Sequence, residues 1–478
     1  MTSATRGNFA RQGGLLLGWL AVAFVAAFLG LVAAVMPWFI AVGLVIVPLV
    51  LVVAAAFPAA GSVFALAMIF EVLPSAFQPR LPFGGSILQL SDLLIIYLLG
   101  VSAIRLIAQP RPIWRDLGPL RIPFAYLGIS VAIGLVYAKL GAGNTAWLSE
   151  GRSFIAWALL PILLLAVESP KATRMFRLAV VAIGFIVCIY VVVQSLFDVR
   201  IMTAARVESL DNRSNSDVIR SIAGGGVYLI IFCLFLTLNR WFEGKLPSWI
   251  AAPASVLLLL GLGVQFGRGV WVATAVGLLL SAAVHRGTKG VLQTIIIGGL
   301  SLAALMAALT VVKPRLAEAL VERATGISAE VESGGSFAWR KIENQDALAM
   351  IERHPIMGVG IGGEYKQIKV VATFATETTY IHNGYLYFPL KLGLWASFIP
   401  LAFILGFFAT LRRAKRAHQA DLDRGFIAAL GGTFAVPVIT SITQPEWVNP
   451  QSVTALVCLM VLALQYLRSG SGVGTQHA

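Results

Sequence analysis

The sequence predicts an all-α, polytopic membrane protein, and three observations support that prediction. Of its 478 residues, 58% are hydrophobic and only 12% are charged, whereas a soluble domain carries roughly 25% charged residues. Apolar runs of about 20 residues, the length that crosses a hydrocarbon core, recur along the chain. These runs are continuous, whereas the strands of a membrane β-barrel alternate over about ten positions. We therefore expect a bundle of membrane-spanning helices.

The number of spans is expected to be about 12 to 14, since each needs about 20 apolar residues. The third run is short, and the first two form either a hairpin or one broken helix. Arg6 and Arg11 precede the first run as in a signal peptide, but that run is too long and lacks a small-residue cleavage site, so it should be retained. The predicted spans are 13–36, 37–57, 59–74, 87–107, 121–139, 147–167, 175–197, 219–239, 248–264, 269–285, 290–312, 384–411, 425–444 and 451–467.

Positive charge is concentrated in alternate short loops. The net charge is +14, and its position between apolar runs is typical of loops that stay in the cytoplasm. This pattern predicts that both termini are cytoplasmic and explains the charge by topology, so no nucleic acid is expected as a partner. The basic residues of these loops are Arg111, Arg115, Arg121, Lys171, Arg174, Arg177, Arg240, Lys245, Arg286, Lys289, Arg412, Arg413, Lys415 and Arg416.

Three segments follow from this topology. Spans occupy 1–312, a long extracytoplasmic (periplasmic) loop occupies 313–383, and further spans with a cytoplasmic tail occupy 384–478. A loop of about seventy residues in a compact protein is usually functional or disordered. The pattern within this loop favours organised structure.

The segment 335–355 of the loop predicts an amphipathic helix that lies along the membrane surface. Apolar residues recur at roughly helical spacing, and the opposite positions are charged. Pro355 is expected to end the helix. The apolar positions are Phe337, Ile342, Leu348 and Ile351.

His382 lies in the stretch ETTYIHNGYLYFPLKLG, where the long loop meets the next apolar run. A histidine side chain titrates near neutrality, so it can accept a proton from a hydroxyl group. Tyr380 and Asn383 offer ring and amide surfaces that suit a sugar, and Glu377 is an alternative base or an orienting partner. As a purely structural residue His382 would cap or hydrogen-bond the helix start. His354 is the competing histidine, but Pro355 beside it favours a role in a turn.

Three arginines are expected on the same outer face. Arg268 lies between glycines in VQFGRGVWVA, where it is either a surface residue reaching the headgroups or an anion clamp. A guanidinium group suits phosphate because its planar fork donates two hydrogen bonds. Arg220 lies at the outer end of the span that starts near 219. Arg340, on the amphipathic helix, either binds the same anion or anchors the helix to lipid headgroups.

Two short motifs admit structural explanations. GVGIGGEY matches G-x-G-x-x-G through Gly358, Gly360 and Gly363, but it follows a helix instead of a strand, which argues against a dinucleotide site. It is either a turn that returns the chain to the membrane or a loop whose N–H groups approach an anion. DLD at 421–423 is typical of a solvated charge cluster. We expect no metal and no cofactor.

The motifs RGVW, W-R…ALAMIERHPIMGVGIG and HNGYLYFPLKLGL together resemble the O-antigen ligase and polymerase superfamily, over about residues 200–410. The resemblance implies a GT-C-like, multi-helix glycosyltransferase of the bacterial inner membrane, active at the periplasmic face. Such proteins move a glycan from an undecaprenyl-diphosphate carrier onto an acceptor hydroxyl, with inversion and without a required metal. The implied partners are that lipid-linked donor, a glycan or lipid A-core acceptor, and the lipid bilayer.

The resemblance also implies roles for individual residues. His382 matches the family's loop histidine, which implies that it activates the acceptor. Arg268 matches an arginine at an outer helix edge, which implies a contact with the diphosphate. Arg220 resembles a further family arginine, although RSIAGGG lacks the Pro-Asn that often follows it. The motifs do not distinguish a ligase from a polymerase, and the long outer loop favours a polymerase.

The alternative is a transporter or flippase for an anionic or lipid-linked envelope substrate. Such a protein would place charged groups near the bilayer centre. Asp92 and Glu71 are the best such residues, but both lie near the outer border of the predicted topology. The organised outer loop favours chemistry outside the cytoplasm.

Overall fold

The computed structural model describes residues 51–73, 80–83, 86–197, 199, 201, 208–209, 219–325, 336–365, 379–418 and 423–470. The chain divides into two compact units, Met1–Gly61 and Ser62–Ala478. The first unit contributes residues 51–61 to the described part. Every described residue of the candidate site belongs to the second unit.

Helices make up most of the described chain. Two small antiparallel pairs of strands accompany them, with Arg80 opposite Gln89 in one pair and Glu208 opposite Arg220 in the other. The elements are α1 (Pro58–Ile69), β1 (Arg80–Phe83), β2 (Ser86–Gln89), α2 (Leu90–Ala108), α3 (Ile113–Asp116), α4 (Arg121–Val136), α5 (Trp147–Gly151), α6 (Leu159–Ala166), α7 (Pro170–Phe197), β3 (Glu208–Ser209), β4 (Ile219–Arg220), α8 (Gly226–Phe242), α9 (Ser248–Gly263), α10 (Arg268–Val312), α11 (Pro314–Thr325), α12 (Ser336–Arg353), α13 (Gly384–Leu392), α14 (Phe398–Ala417), α15 (Arg424–Thr440) and α16 (Pro450–Gly470).

Seven helical segments of the described chain are long and apolar enough to cross a membrane. They are Leu90–Ala108, Gly118–Gly141, Trp147–Ala166, Pro170–Phe197, Arg268–Val312, Leu394–Ala417 and Pro450–Ser469. Four further helices, α1, α8, α9 and α15, are apolar but shorter. This composition confirms the all-α, polytopic fold class. The predicted total of about 12 to 14 spans stays a prediction, because residues 1–50 lie outside the described part.

The span predicted at 384–411 is two helices. The chain turns between α13 and α14 at Gly393, where φ is 97°, a conformation that strongly favours glycine. A Cβ atom at Gly393 would also lie 1.9 Å from the carbonyl oxygen of Ile356. The run looked continuous because leucine and aromatic residues flank the glycine, and the periodicity of the sequence does not report a close approach of two backbones.

Three further predicted spans differ from the helices of the structure. The helix predicted from 219 begins instead at Gly226, because the β3–β4 pair holds residues 219–220 in an extended conformation. The spans predicted at 269–285 and 290–312 form the two halves of α10, which is bent at Gly287 (φ 65°, ψ −150°). A helix of 45 residues would be far longer than the roughly 30 Å hydrocarbon core.

Helices α8, α10 and α15 pack closely and carry the elements of the candidate site. A Cβ atom at Gly277 would lie 2.6 Å from the carbonyl oxygen of Gly432, and a Cβ atom at Gly432 would lie 2.5 Å from that of Gly277. Small residues allow helices to approach this closely within a membrane. Asn239 Nδ2 donates to Ser281 Oγ at 3.0 Å and so joins α8 to α10.

The contacts of these three helices define two ends. At the paired end, Arg240 near the end of α8 forms an ion pair with Asp423, the N-cap of α15. At the loop end, Tyr228 Oη near the start of α8 lies 2.8 Å from Thr440 Oγ1 at the end of α15. Helices α8 and α15 are therefore antiparallel. The first half of α10 runs alongside α8 from the loop end to the paired end.

Candidate functional site

His382 lies directly before α13 and is not its cap. The N-cap is Asn383, whose Oδ1 accepts hydrogen bonds from the backbone N–H groups of Tyr385 (3.0 Å) and Leu386 (3.2 Å). An asparagine in this position satisfies N–H groups that have no partner within the helix. The capping interpretation of His382 is therefore wrong, and Asn383 has that structural task.

Glu343 of α12 holds His382 at two points. His382 Nδ1 lies 3.0 Å from Glu343 Oε2, and the backbone N–H of His382 donates to the same oxygen at 3.1 Å. The Glu343 side chain is 1% exposed, whereas that of His382 is 32% exposed. An ionised carboxylate only accepts hydrogen bonds, so a neutral imidazole that pairs with it carries its proton on Nδ1. Nε2 is then left with a lone pair that can accept a proton from a hydroxyl group.

Helix α12 covers most of the segment predicted to be an amphipathic helix, and one of its faces is buried within the protein. Glu343, Ala347 and Ile351, spaced four residues apart, are buried, whereas Leu348 is 49% exposed. The sequence pattern assigned Leu348 and Ile351 to one apolar face along the membrane surface, and the structure separates them, because only Ile351 is buried. The contact between Glu343 and His382 explains the difference, because a buried carboxylate requires polar partners. The position of this helix at a membrane surface stays a prediction.

Two tyrosines adjoin the Glu343–His382 pair. The Tyr365 hydroxyl donates to the carbonyl oxygen of Tyr380 at 2.8 Å. Burial, and then the nearby Glu343 carboxylate, raises the pKa of Tyr365. The rings of Tyr380 and His382 meet edge to face, with centroids 4.8 Å apart and an interplanar angle of 89°. Tyr380 is 37% exposed, so an accessible aromatic surface lies beside the histidine.

The GVGIGGEY motif forms a packed loop against α13. The N–H of Gly362 donates to Glu150 Oε2, and this oxygen also lies 3.1 Å from Nζ of the fully buried Lys391. Lys391 in turn donates to the carbonyl oxygen of Gly363 at 2.7 Å. These contacts favour the turn interpretation of the motif, because the Gly362 N–H is already used by a carboxylate. The loop thereby supports the helix that follows His382.

Arg268 is the first residue of α10 and contacts α11. Its Nε donates to the carbonyl oxygen of Arg323 at 2.6 Å, and Arg323 Nε donates to the carbonyl oxygen of Phe266 at 3.3 Å. These two hydrogen bonds hold the end of α11 against the N-terminus of α10. The N-terminus of a helix carries a partial positive charge. A helix N-terminus with a guanidinium beside it suits an anion.

The other predicted residues are distributed as follows. Arg340 lies three positions before Glu343 on α12 and is partly buried, so the two side chains are neighbours on the helix surface. Arg220 lies in β4, opposite Glu208. Glu377 lies outside the described residues, as does Asp421 of the DLD motif.

Loop 441–449 (SITQPEWVN) connects α15 to α16. It contacts both the histidine segment, residues 382–384, and the start of α10. The N–H of Gly384, the first residue of α13, donates to the carbonyl oxygen of Ser441 at 2.8 Å. On the other side, a Cβ atom at Gly269 in the first turn of α10 would lie 3.5 Å from Thr443 Oγ1. The structure therefore brings the segments of both predicted catalytic residues, His382 and Arg268, to a single loop.

Residues 253–401 match the family model described as O-Antigen ligase. Over this segment the chain is similar to the O-antigen ligases. The match confirms the resemblance stated from the motifs and supports a membrane glycan-transfer function. The matched O-antigen ligase segment includes Arg268, Arg340, Glu343 and His382, whereas loop 441–449 follows it. A comparison with curated proteins gave no match.

Two parts of this site were not predicted from the sequence. Glu343 resembled the other charged positions of an amphipathic helix, and no local signal sets it apart, because its partner lies 39 positions away. Loop 441–449 did carry a signal. Its polar residues, together with Pro445 and Trp447, separate two apolar runs. This composition is unusual enough to indicate a structured connection.

Proposed function

We infer that this protein is a glycosyltransferase of the bacterial inner membrane that takes glycan units from an undecaprenyl-diphosphate carrier. It joins them to an acceptor hydroxyl at the periplasmic face, with both termini of the chain in the cytoplasm. The observation that carries this inference is the Glu343–His382 pair, which is built as a proton acceptor within the matched O-antigen ligase segment. The acceptor is either a growing glycan or a lipid A-core.

We assign to His382 the role of accepting the proton of the acceptor hydroxyl. Nδ1–H is held by Glu343, so Nε2 accepts the hydroxyl proton as the oxygen attacks the anomeric carbon. The bond from that carbon to the diphosphate oxygen breaks, and undecaprenyl diphosphate leaves with the electron pair. Attack opposite the leaving group inverts the anomeric configuration. The buried carboxylate stabilises the imidazolium that forms, as in other carboxylate–histidine pairs.

We assign to Arg268 the role of binding the leaving diphosphate and stabilising its charge. Negative charge grows on the bridging oxygen as the glycosidic bond breaks, and a fixed guanidinium stabilises that charge without reorganising. The contact of Arg268 Nε with the carbonyl oxygen of Arg323 fixes the position of the side chain. Arg340 and Arg220 are assigned further contacts with the donor, and Tyr380, Asn383 and Glu377 are assigned contacts with the sugars. No metal ion or cofactor is required by this scheme.

The transporter alternative has less support. Asp92 accepts a hydrogen bond from the N–H of Gln89 at 2.9 Å and lies 3.5 Å from Arg152. Glu71 accepts a hydrogen bond from Gln451 Nε2 at 3.4 Å. Both acids therefore stabilise local structure, which does not favour either as a coupling site in an ion pathway.

The test uses the purified full-length protein and a synthetic undecaprenyl-diphosphate glycan. We expect the wild type to form a covalently extended product. His382→Ala should lower the rate by about 10²- to 10⁴-fold, the usual contribution of a general base. Arg268→Ala should lower it by a factor of at least about 10². Product formation is followed by mass spectrometry, and a panel of acceptors distinguishes a ligase from a polymerase.

Matched controls come from the same segment. His354 and Arg353 are both exposed at the end of α12, so His354→Ala and Arg353→Ala should retain activity within about twofold. Full activity in His382→Ala and Arg268→Ala would overturn the site assignment. Movement of the lipid-linked glycan across a vesicle membrane without formation of a new bond would instead support the transporter.

A further inference from the structure

Loop 441–449 is held rigidly by the helices around it. Trp447 is fully buried, and its carbonyl oxygen accepts a hydrogen bond from Trp157 Nε1 at 3.2 Å. Asn449 Oδ1 accepts hydrogen bonds from the backbone N–H groups of Gln451 (3.1 Å) and Ser452 (3.2 Å), which caps the start of α16. Interactions of this kind fix the loop backbone before any ligand arrives.

The edge of the loop between the histidine segment and α10 is accessible and polar. Thr443 and Gln444 are partly exposed, and the preceding Ile442 is 57% exposed. Thr443 Oγ1 is used locally, since it donates to the carbonyl oxygen of Thr440 at 3.3 Å. The Gln444 carboxamide makes no hydrogen bond to any residue that the structure describes, although its own backbone is fixed by the turn with Glu446.

The chemistry of Gln444 suits sugar hydroxyl groups. A carboxamide has two N–H donors and an acceptor oxygen, and a pyranose presents neighbouring hydroxyls that both donate and accept. A cation would instead select phosphate, and here the arginines supply that function. The backbone of Gln444 also lies against α13, because a Cβ atom at Gly384 would be 3.0 Å from the Gln444 carbonyl oxygen. The carboxamide therefore belongs to a residue whose backbone packs against α13, the helix that follows His382.

We propose that loop 441–449 lines one side of the glycan-binding site and that its Gln444 carboxamide recognises hydroxyl groups of the lipid-linked sugar. This inference rests on the proposed function for the identity of the ligand. The loop lies beyond the matched family segment, so it would supply selectivity for the sugar, while the matched segment supplies His382 and Arg268.

The experiment measures the affinity of the full-length protein, in lipid nanodiscs, for two ligands. One is synthetic undecaprenyl diphosphate that carries a short oligosaccharide, and the other is undecaprenyl diphosphate without sugar. All variants carry His382→Ala, so that transfer does not consume the ligand. Gln444→Ala is expected to weaken binding of the glycosylated lipid by about 2- to 12-fold, the loss typical of one neutral hydrogen bond. Binding of the bare lipid should be unchanged.

The matched control is Gln345→Ala, which removes the same carboxamide from an exposed position of α12 and should leave both affinities unchanged. Equal binding of the glycosylated lipid with and without Gln444→Ala would overturn the proposal. So would equal weakening for both lipids, since that result indicates a structural role for the loop. Transfer is scored separately in the wild-type protein, so a failure of the proposed function is distinguished from a failure of this inference.

Discussion

The two ends of the α8–α10–α15 group differ in how their charged residues are used. At the paired end, Arg240 binds Asp423, and Glu243 lies 3.0 Å from Lys245 while also accepting the N–H of Gly425 at 3.0 Å. At the loop end, the histidine that is held by a buried glutamate keeps a side chain that is 32% exposed. Each end holds a histidine beside a glutamate, but at the paired end the His285 side chain, 3.8 Å from Glu243, is only 5% exposed. The accessible member of the paired end is Lys245, which is 52% exposed, whereas at the loop end it is the histidine itself.

This difference separates a structural use of charge from a chemical one. Acids and bases that neutralise each other at helix ends fix the packing and leave little capacity for a ligand. A histidine with one nitrogen held and the other available has the form required for proton transfer. Substitutions of matched residues at the two ends should therefore affect different measured quantities, activity at one end and stability at the other.

The largest expected effect compares two glutamates. Glu343→Gln keeps a hydrogen-bond acceptor for His382 but removes the negative charge that stabilises the imidazolium, so kcat should fall by roughly 10²-fold, while KM changes by less than about twofold. Glu243→Gln, at the paired end, should leave kcat of the folded protein unchanged. Steady-state kinetics on both variants decide the comparison, and a loss of kcat in both would remove the distinction between the ends.

The next largest expected effect concerns the close packing of α10 against α15, which fixes the two ends relative to each other. A Cβ atom at Gly432 would lie 2.5 Å from a backbone oxygen of α10, whereas at Gly431 the nearest contact is a flexible leucine methyl at 3.4 Å. Gly432→Ala should therefore lower the free energy of unfolding by about 1–3 kcal/mol. Gly431→Ala should be neutral or stabilise by up to about 1 kcal/mol. Thermal unfolding in detergent measures both, and equal midpoints would contradict the close packing of α10 and α15.

Asp423 tests whether the paired end is structural. Its Oδ1 accepts the N–H of Phe426 at 3.1 Å, and its Oδ2 binds Arg240. Asp423→Ala removes both contacts and should cost about 1–2 kcal/mol of unfolding free energy, with kcat per folded molecule unchanged. Asp423→Asn keeps the cap and should recover part of the loss. A fall in kcat that exceeds the loss of folded protein would show that the paired end takes part in the reaction.

The smallest expected effect is a change in pH dependence at the loop end. Burial raises the pKa of Glu446 above its ordinary value of 4.5, against hydrogen bonds with Ser452, Tyr228 and Thr440. The folded state thus keeps this proton to a higher pH than the unfolded state. Its contribution to stability is complete below about pH 4.5 and is lost as pH rises towards the folded pKa.

Glu446→Gln should remove that slope, because a carboxamide does not titrate. The melting temperature of the variant should exceed that of the wild type by a growing margin, of a few degrees, as pH increases from 4.5. Melting curves measured between pH 4 and pH 8 test this, and parallel pH profiles for the two proteins would contradict it.

Much of the fold was readable from the sequence because a membrane imposes simple rules. A run of apolar residues must span the hydrocarbon core as a helix that satisfies its own backbone, so the sequence places the helices α2, α7 and α9 close to where they lie. Where the rule was insufficient, a backbone contact intervened. Gly393 interrupts one run because Ile356 leaves no space for a side chain.

The site was predictable to a smaller extent. His382 stood out because histidine is rare in the chain, which has five, and because it borders a long outer loop. Its partner did not stand out, since Glu343 is one of many charged residues on α12. The pairing depends on two segments that meet only after the chain has folded, and sequence spacing contains no record of that distance.

The sequence by itself determined the membrane helices, the resemblance to the O-antigen ligases and the identity of the histidine and arginine that the proposed reaction uses. These features depend on local composition and on short motifs. Only the tertiary structure decided which neighbour caps α13, which face of α12 is buried and which loop joins His382 to Arg268. Those outcomes depend on contacts between residues far apart in the chain, and the burial of Glu343 against His382 is the clearest of them.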